Sequence, residues 1–179
     1  AEDLVFKGGY PRLFDKNIDP LIYYQNYIST YVERDVRLIK NIENLSVFVR
    51  FIQLCAGRIG QIVNFQSLAN DTGVSLNTIK SWLSVLEASY IVYLHKPHYN
   101  NLNKRITKTP KLYFYDTGLA CSLLQIQSKE QLYSHYLVGG LFENFVLNEM
   151  NKTYLNKGLK PSFYFWQNKD KKEIDIIID

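Results

Sequence analysis

Residues 65–84 read FQSLANDTGVSLNTIKSWLS, two short helical stretches around a glycine turn, and this segment decides how the rest of the chain is read. Ala69 falls where two crossing helices leave room only for a small side chain, and Gly73 supplies the turn. Val74, Ile79 and Trp82 provide the apolar seam between the helices, and Ser75 is a natural N-cap for the second. Asn77, Lys80, Ser81 and Ser84 then lie off the Ile79/Trp82/Leu83 face, with Thr78 in the first turns. Short polar side chains and one lysine on the free face of a second helix suit contacts in a DNA groove. The same spacing also serves a helical hairpin that acts as a spacer or docks another protein.

Working outward, Tyr90 to Leu94 and Lys111 to Tyr115 are β-rich and bracket the loop Lys96 to Pro110, which stands in the place of a wing. That loop and its exit carry Lys96, Lys104, Arg105, Lys108 and Lys111 with no acidic residue, a composition suited to phosphate contacts and also to any solvated loop. Upstream, Asp19-Pro20 is an N-cap with proline at N1, opening a helical period through Leu21, Tyr24, Ile28, Tyr31, Val32 and Val36. A second helix is expected from Ser46 to Cys55, with Phe48, Val49, Ile52 and Cys55 inward and Gly57 as its stop. Residues 1–18 contain Gly8-Gly9-Tyr10-Pro11 and read as the tail of a preceding domain.

Downstream, Asp116 caps a short helix, and Ser128 with Gln131 makes a capping box. Gly139-Gly140 is expected to interrupt the chain before an amphipathic helix from Leu141 to about Tyr154, with Phe142, Phe145, Val146 and Met150 inward. Phe163 to Gln167 and Glu173 to Ile178 read as two strands, and the run Ile176-Ile177-Ile178 as a strand buried on both faces. The resulting organisation is a helical and winged-helix domain over 19–125 followed by the opening part of a second, α/β domain over 126–179. The fold class is mainly α with small β (α+β).

A net charge of +4 permits an anionic partner without demanding one. Cys55 and Cys121 form no metal-binding spacing, so two buried free thiols are expected, with a single disulfide as the other reading. No apolar run reaches the ~18 residues of a membrane span, and a cytoplasmic location is expected. Asp116-Thr117-Gly118 matches the aspartic-protease tripeptide, but those enzymes are all-β, and here Asp116 precedes an apolar helical segment as its cap. No GxxxxGK[ST] loop occurs, so ATP binding by this chain alone is not expected. Arg12 and the Arg34-Asp35 pair are further candidates for contacts with a nucleotide or partner, although a tail charge and helix-surface ion pairs account for them. Glu143 on the amphipathic helix and Asp175 on the last strand are the acidic pair whose placement suits one Mg²⁺; Glu173 and Asp179 flank Asp175, and spacing alone favours a solvated strand edge with Lys171 and Lys172 as counter-charges.

GGYPRLF at 8–14, YISTYVERDV at 27–36, the 65–84 segment, KLYFYDTGL at 111–119, GLFENFV at 140–146 and YFWQNKDKKEIDIIID at 164–179 together resemble the C-terminal region of a prokaryotic family of predicted AAA-type ATPases. The resemblance implies a P-loop ATPase core in cis, then a winged helix, then a PD-(D/E)xK nuclease-like domain in which Glu143 and Asp175 match the helix glutamate and the hairpin aspartate. Two departures stand out: no E-x-K strand follows the hairpin, and Gln167 stands where relatives often have arginine. The combined expectation is a non-catalytic module that binds duplex DNA through Asn77, Thr78, Lys80, Ser81, Lys104, Arg105 and Lys108. No cofactor is expected in this segment, Mg²⁺ only in a complete nuclease-like domain and ATP only in the upstream domain. The rival expectations are a Mg²⁺-dependent nuclease in the full-length protein and a protein-docking module that regulates the ATPase.

Overall fold

The computed structural model describes residues 2–31, 42, 44–98, 109–168 and 171–179. Helices α1 (Glu2–Lys7), α2 (Pro11–Asp15) and α3 (Pro20–Thr30) come first, followed by α4 (Leu45–Ala56), α5 (Phe65–Thr72) and α6 (Leu76–Ala88). Strands β1 (Val92–His95) and β2 (Lys111–Phe114) precede α7 (Thr117–Leu123), α8 (Lys129–Ser134) and the long α9 (Val138–Leu155), and β3 (Phe163–Gln167) with β4 (Glu173–Ile178) completes the order. The fold is mixed, largely helical with two small antiparallel pairs of strands.

Local chemistry sets most element boundaries. Asn44 accepts from Val47 N to start α4, Asn64 from Ser67 N to start α5, Ser75 from Thr78 N to start α6 and Asp116 from Leu119 N to start α7. Gly73, at φ 79°, takes the left-handed conformation that ends α5, its N–H reaching Ala69 O. Ser128 caps α8 as expected, but the Gln131 side chain accepts from Gln127 N, one residue before the cap.

The main core runs from Val5 and Leu13 through Phe48, Phe51, Ile52, Ile79 and Leu83 to Leu112, Leu119 and Leu141. Residues 2–15, expected as part of a tail, therefore fold onto the body, with α1 packed on α7 and α8. Trp82 faces inward as expected, its ring edge-on to Phe48 at 5.2 Å and tilted on Phe51 at 5.5 Å. Cys55 and Cys121 are buried free thiols. No described helix is long and apolar enough to cross a membrane.

Three expectations give way to tertiary packing. Gly139 and Gly140 do not interrupt α9 but lie inside it, and a Cβ on Gly140 would stand 2.7 Å from Ile59 O, so the glycine admits the chain segment that precedes α5. The buried face of α9 is Leu141, Asn144, Leu147 and Asn148, whereas Phe142 is half exposed. The triple-isoleucine strand is not enclosed: Ile174 and Ile178 are more than half exposed, and β4 pairs with β3 alone among the described residues.

Candidate functional site: a helix-turn-helix and a carboxylate-lysine cluster

Strand β2 links the two regions of interest. On one edge it pairs with β1 in the register Val92↔Phe114 to His95↔Lys111. On its other edge Ile62 bridges Lys111, with Leu112 N donating to Gln61 O at 3.0 Å and Gly60 N to Leu112 O at 2.9 Å. The segment between α4 and α5 thus lies against β2 as a third, very short strand.

Within the helix-turn-helix, Ile79, Trp82, Leu83, Val85 and Leu86 are buried, and Asn77, Lys80 and Ser84 are exposed. Thr78 and Ser81 are half-buried. Thr78 is occupied at the cap, its hydroxyl 2.8 Å from the Ser75 hydroxyl, and Ser84 donates back to Lys80 O at 3.0 Å. Arg58, behind α5, is spent on Leu54 O, Ser67 and Asp71. Lys104, Arg105 and Lys108 lie outside the described residues, as do Arg34 and Asp35; Arg12 is exposed on α2.

Lys111, expected on the wing as a phosphate contact, is buried instead at 3 % exposure. Its ammonium donates to Glu143 Oε1 at 2.9 Å and Asp175 Oδ1 at 3.2 Å, is paired with Glu173, and stands 5.4 Å from the centre of the Phe165 ring. The three carboxylates come from α9 and β4, so one cation ties β2 to two later elements. Tyr113, fully buried two residues along the same strand, donates its hydroxyl to the same Glu143 oxygen. Burial lowers the Lys111 pKa, but the hydrogen bonds from its side chain to Glu173 and Glu143 outweigh that and hold it above the usual lysine value. Glu143 is raised, burial outweighing the Tyr113 and Lys111 hydrogen bonds.

His95, opposite Lys111 in register, is buried with an Nε2 that has no hydrogen-bond partner among the described residues. Burial pushes its pKa down to about 4, against opposing backbone hydrogen bonds at Asp175 and Tyr164. Its ring packs between Tyr113 at 5.7 Å and Phe165 at 5.8 Å.

Two asparagines complete the junction. Asn144 exchanges hydrogen bonds with the backbone of Phe114, accepting from its N–H at 2.7 Å and donating to its carbonyl at 2.8 Å. Asn148 donates to Phe114 O and Tyr115 O and accepts from the Tyr93 hydroxyl. Asn144, Asn148, Tyr113 and His95 were not read from the sequence as part of a site, and Lys111 was read only as a wing residue; the i, i+4 asparagine pair on an otherwise apolar helix face was the available signal.

Glu143 and Asp175, the pair expected to meet at Mg²⁺, do converge, but on the Lys111 ammonium. A Mg²⁺ ion takes oxygen ligands at about 2.0–2.1 Å in near-octahedral geometry, so an ion on Glu143 Oε1 would sit within a few ångström of a buried ammonium. At ~3 Å and an effective dielectric of ~20, that repulsion is on the order of 10 kcal/mol, enough to offset most of what one carboxylate would contribute, and the carboxylates are already turned toward the ammonium. Among the described residues no group of three or more His, Cys, Asp or Glu is placed to hold a metal. As arranged, these residues do not fit a divalent ion.

Comparison with known proteins supplies families rather than activities. A domain of unknown function, DUF8612, matches residues 1–130, and another, DUF4143, matches residues 138–179. Uncharacterized proteins of Mycobacterium bovis and Mycobacterium tuberculosis are each 28% identical over 182 residues, covering 100% of this chain and 40% of their own length. The chain thus spans well under half the length of the curated relatives it matches. No solved structure matches.

Proposed function

The chain belongs to the family described as a domain of unknown function, DUF8612, and we propose that its residues 45–114 form a winged helix that binds duplex DNA, as a non-catalytic module of a longer protein with an ATPase core in cis. The observation that carries this reading is the order of pairing around β2. A helix, a short strand at Ile62, two helices joined at Gly73 and the antiparallel pair β1–β2 follow one another in the chain. That order seats α6 on a sheet-backed core with Asn77, Lys80 and Ser84 outward. The 96–110 connection carries the basic residues of a wing.

Binding is electrostatic in this reading, and Asn77 and Lys80, the exposed members of the expected set, make the groove contacts. With ~3 to 5 phosphate contacts, log K falls against log[salt] with a slope of about −3 to −4. Fluorescence anisotropy of a labelled duplex titrated with protein at several salt concentrations measures this. Replacing Lys104 and Arg105 together by alanine flattens the slope by about 2. No binding at ~50 mM salt, or an unchanged slope in the double variant, defeats the assignment.

A further inference from the structure

The carboxylate cluster uses none of the residues proposed for DNA contact, and its geometry carries an inference of its own. Three acidic side chains from α9 and β4 surround one ammonium from β2. The ammonium has three N–H donors, and three carboxylates meet it, so its hydrogen-bonding capacity is filled. The lysine is enclosed, its side chain 4 % exposed, whereas Asp175 at 57 % still faces solvent. Backbone pairing runs alongside: Phe165 N donates to Lys96 O at 3.1 Å and His98 N to Phe165 O at 2.7 Å. This pairing falls where the β3–β4 register shifts between Tyr164 and Trp166. The irregularity turns Phe165 toward the extension of β1, and its buried ring packs beneath Lys111.

We infer that the cation around which this cluster is built is the Lys111 ammonium, so that Glu143, Glu173 and Asp175 form an ion lock that seats the β3–β4 pair on the β1–β2 pair, and are not ligands of a divalent metal. Lys111 is a positioning residue in this arrangement. It gives the two pairs of strands one shared orientation, and the carboxylates that a metal would need are engaged by the chain itself. Removing the lysine leaves three carboxylates facing one another without a counter-charge, and the lock opens at the C-terminal pair, whose apolar contacts lie in the small cluster of Tyr113, Leu147 and Phe163, while α5 and α6 stay in the separate main core.

The test uses the full chain. Amide hydrogen exchange is compared for wild type, Lys111→Met and Asp175→Asn, with residues 65–88 as internal reference, and Mn²⁺ binding is followed by loss of the free-ion electron paramagnetic resonance signal. The expected result is exchange at least about tenfold faster across 163–178 in Lys111→Met, a smaller rise in Asp175→Asn, unchanged protection over 65–88, and no Mn²⁺ bound by wild type at ~1 mM. If Lys111→Met fails to fold, Asp175→Asn decides, because its exposed side chain gives up one contact with little packing. Unaltered exchange over 163–178 in Asp175→Asn, or wild-type Mn²⁺ binding that Asp175→Asn abolishes, overturns the inference.

Discussion

The helix-turn-helix and the Lys111 cluster are built by opposite means. In the first, neighbours in the chain do nearly all the work: Asn64 and Ser75 cap helices three residues ahead of them, and Gly73 turns the chain. In the second, every contact is remote, Lys111 reaching Glu143 across 32 residues and Asp175 across 64. A unit made of local bonds plus an apolar seam tolerates the loss of any one polar contact. A buried ion network does not, because removing one member leaves its partners desolvated and unpaired. The difference predicts where substitutions in each region will be felt.

The largest expected effect is at a place where the local unit depends on distant packing. Trp82→Ala empties a site lined by Phe48 and Phe51 and is expected to cost about 3 to 5 kcal/mol, read as a shift in the urea midpoint. A variant that stays within ~1 kcal/mol of wild type would mean that the α6 seam is not the core of this region.

An intermediate effect belongs to the remote region and is conditional on pH. His95 titrates at about 4 when folded, against about 6.5 for a free imidazole, so the unfolded chain takes up the proton first. The contribution is fully present above about pH 6.5 and is lost as pH falls from there through 4. Between pH 7 and 5, wild type is expected to lose on the order of 2 kcal/mol more than His95→Gln in parallel urea titrations. Equal losses in the two proteins would show that His95 is not held neutral by burial.

The smallest effect returns to the local region. Ser75→Ala removes the side-chain cap on Thr78 N and is expected to cost about 1 kcal/mol, without altering hydrogen exchange in 163–178. A matching loss of protection in that distant segment would break the distinction between the two regions.

The sequence made the helix-turn-helix legible for the same reason. Caps, a left-handed glycine and helical periodicity act over three or four residues, and the expected N-caps at Ser75, Asp116 and Ser128 all hold their bonds. The α9 face was read only in part, Phe145 and Met150 packing on the core while Phe142 does not, because apolar residues lie on more than one side of that helix and periodicity cannot rank them. Asn144 and Asn148, which an apolar periodicity passes over, are buried and hydrogen-bonded to the backbone at the end of β2. Gly139-Gly140 looked like a break for want of any sign that Ile59 passes over the helix there.

By itself, the sequence determined the helix boundaries set by caps, the turn at Gly73, the inward Trp82 and the pair of strands that follows α6. It also singled out Glu143 and Asp175 as two carboxylates worth placing together. Only the tertiary structure decided what they meet. Lys111 has the composition of a phosphate-binding wing residue, and whether a lysine faces solvent or three carboxylates depends on which elements fold back over it. That outcome is set by long-range pairing of Ile62, His95 and Phe165 around β2, for which no pattern of neighbouring residues carries a signal.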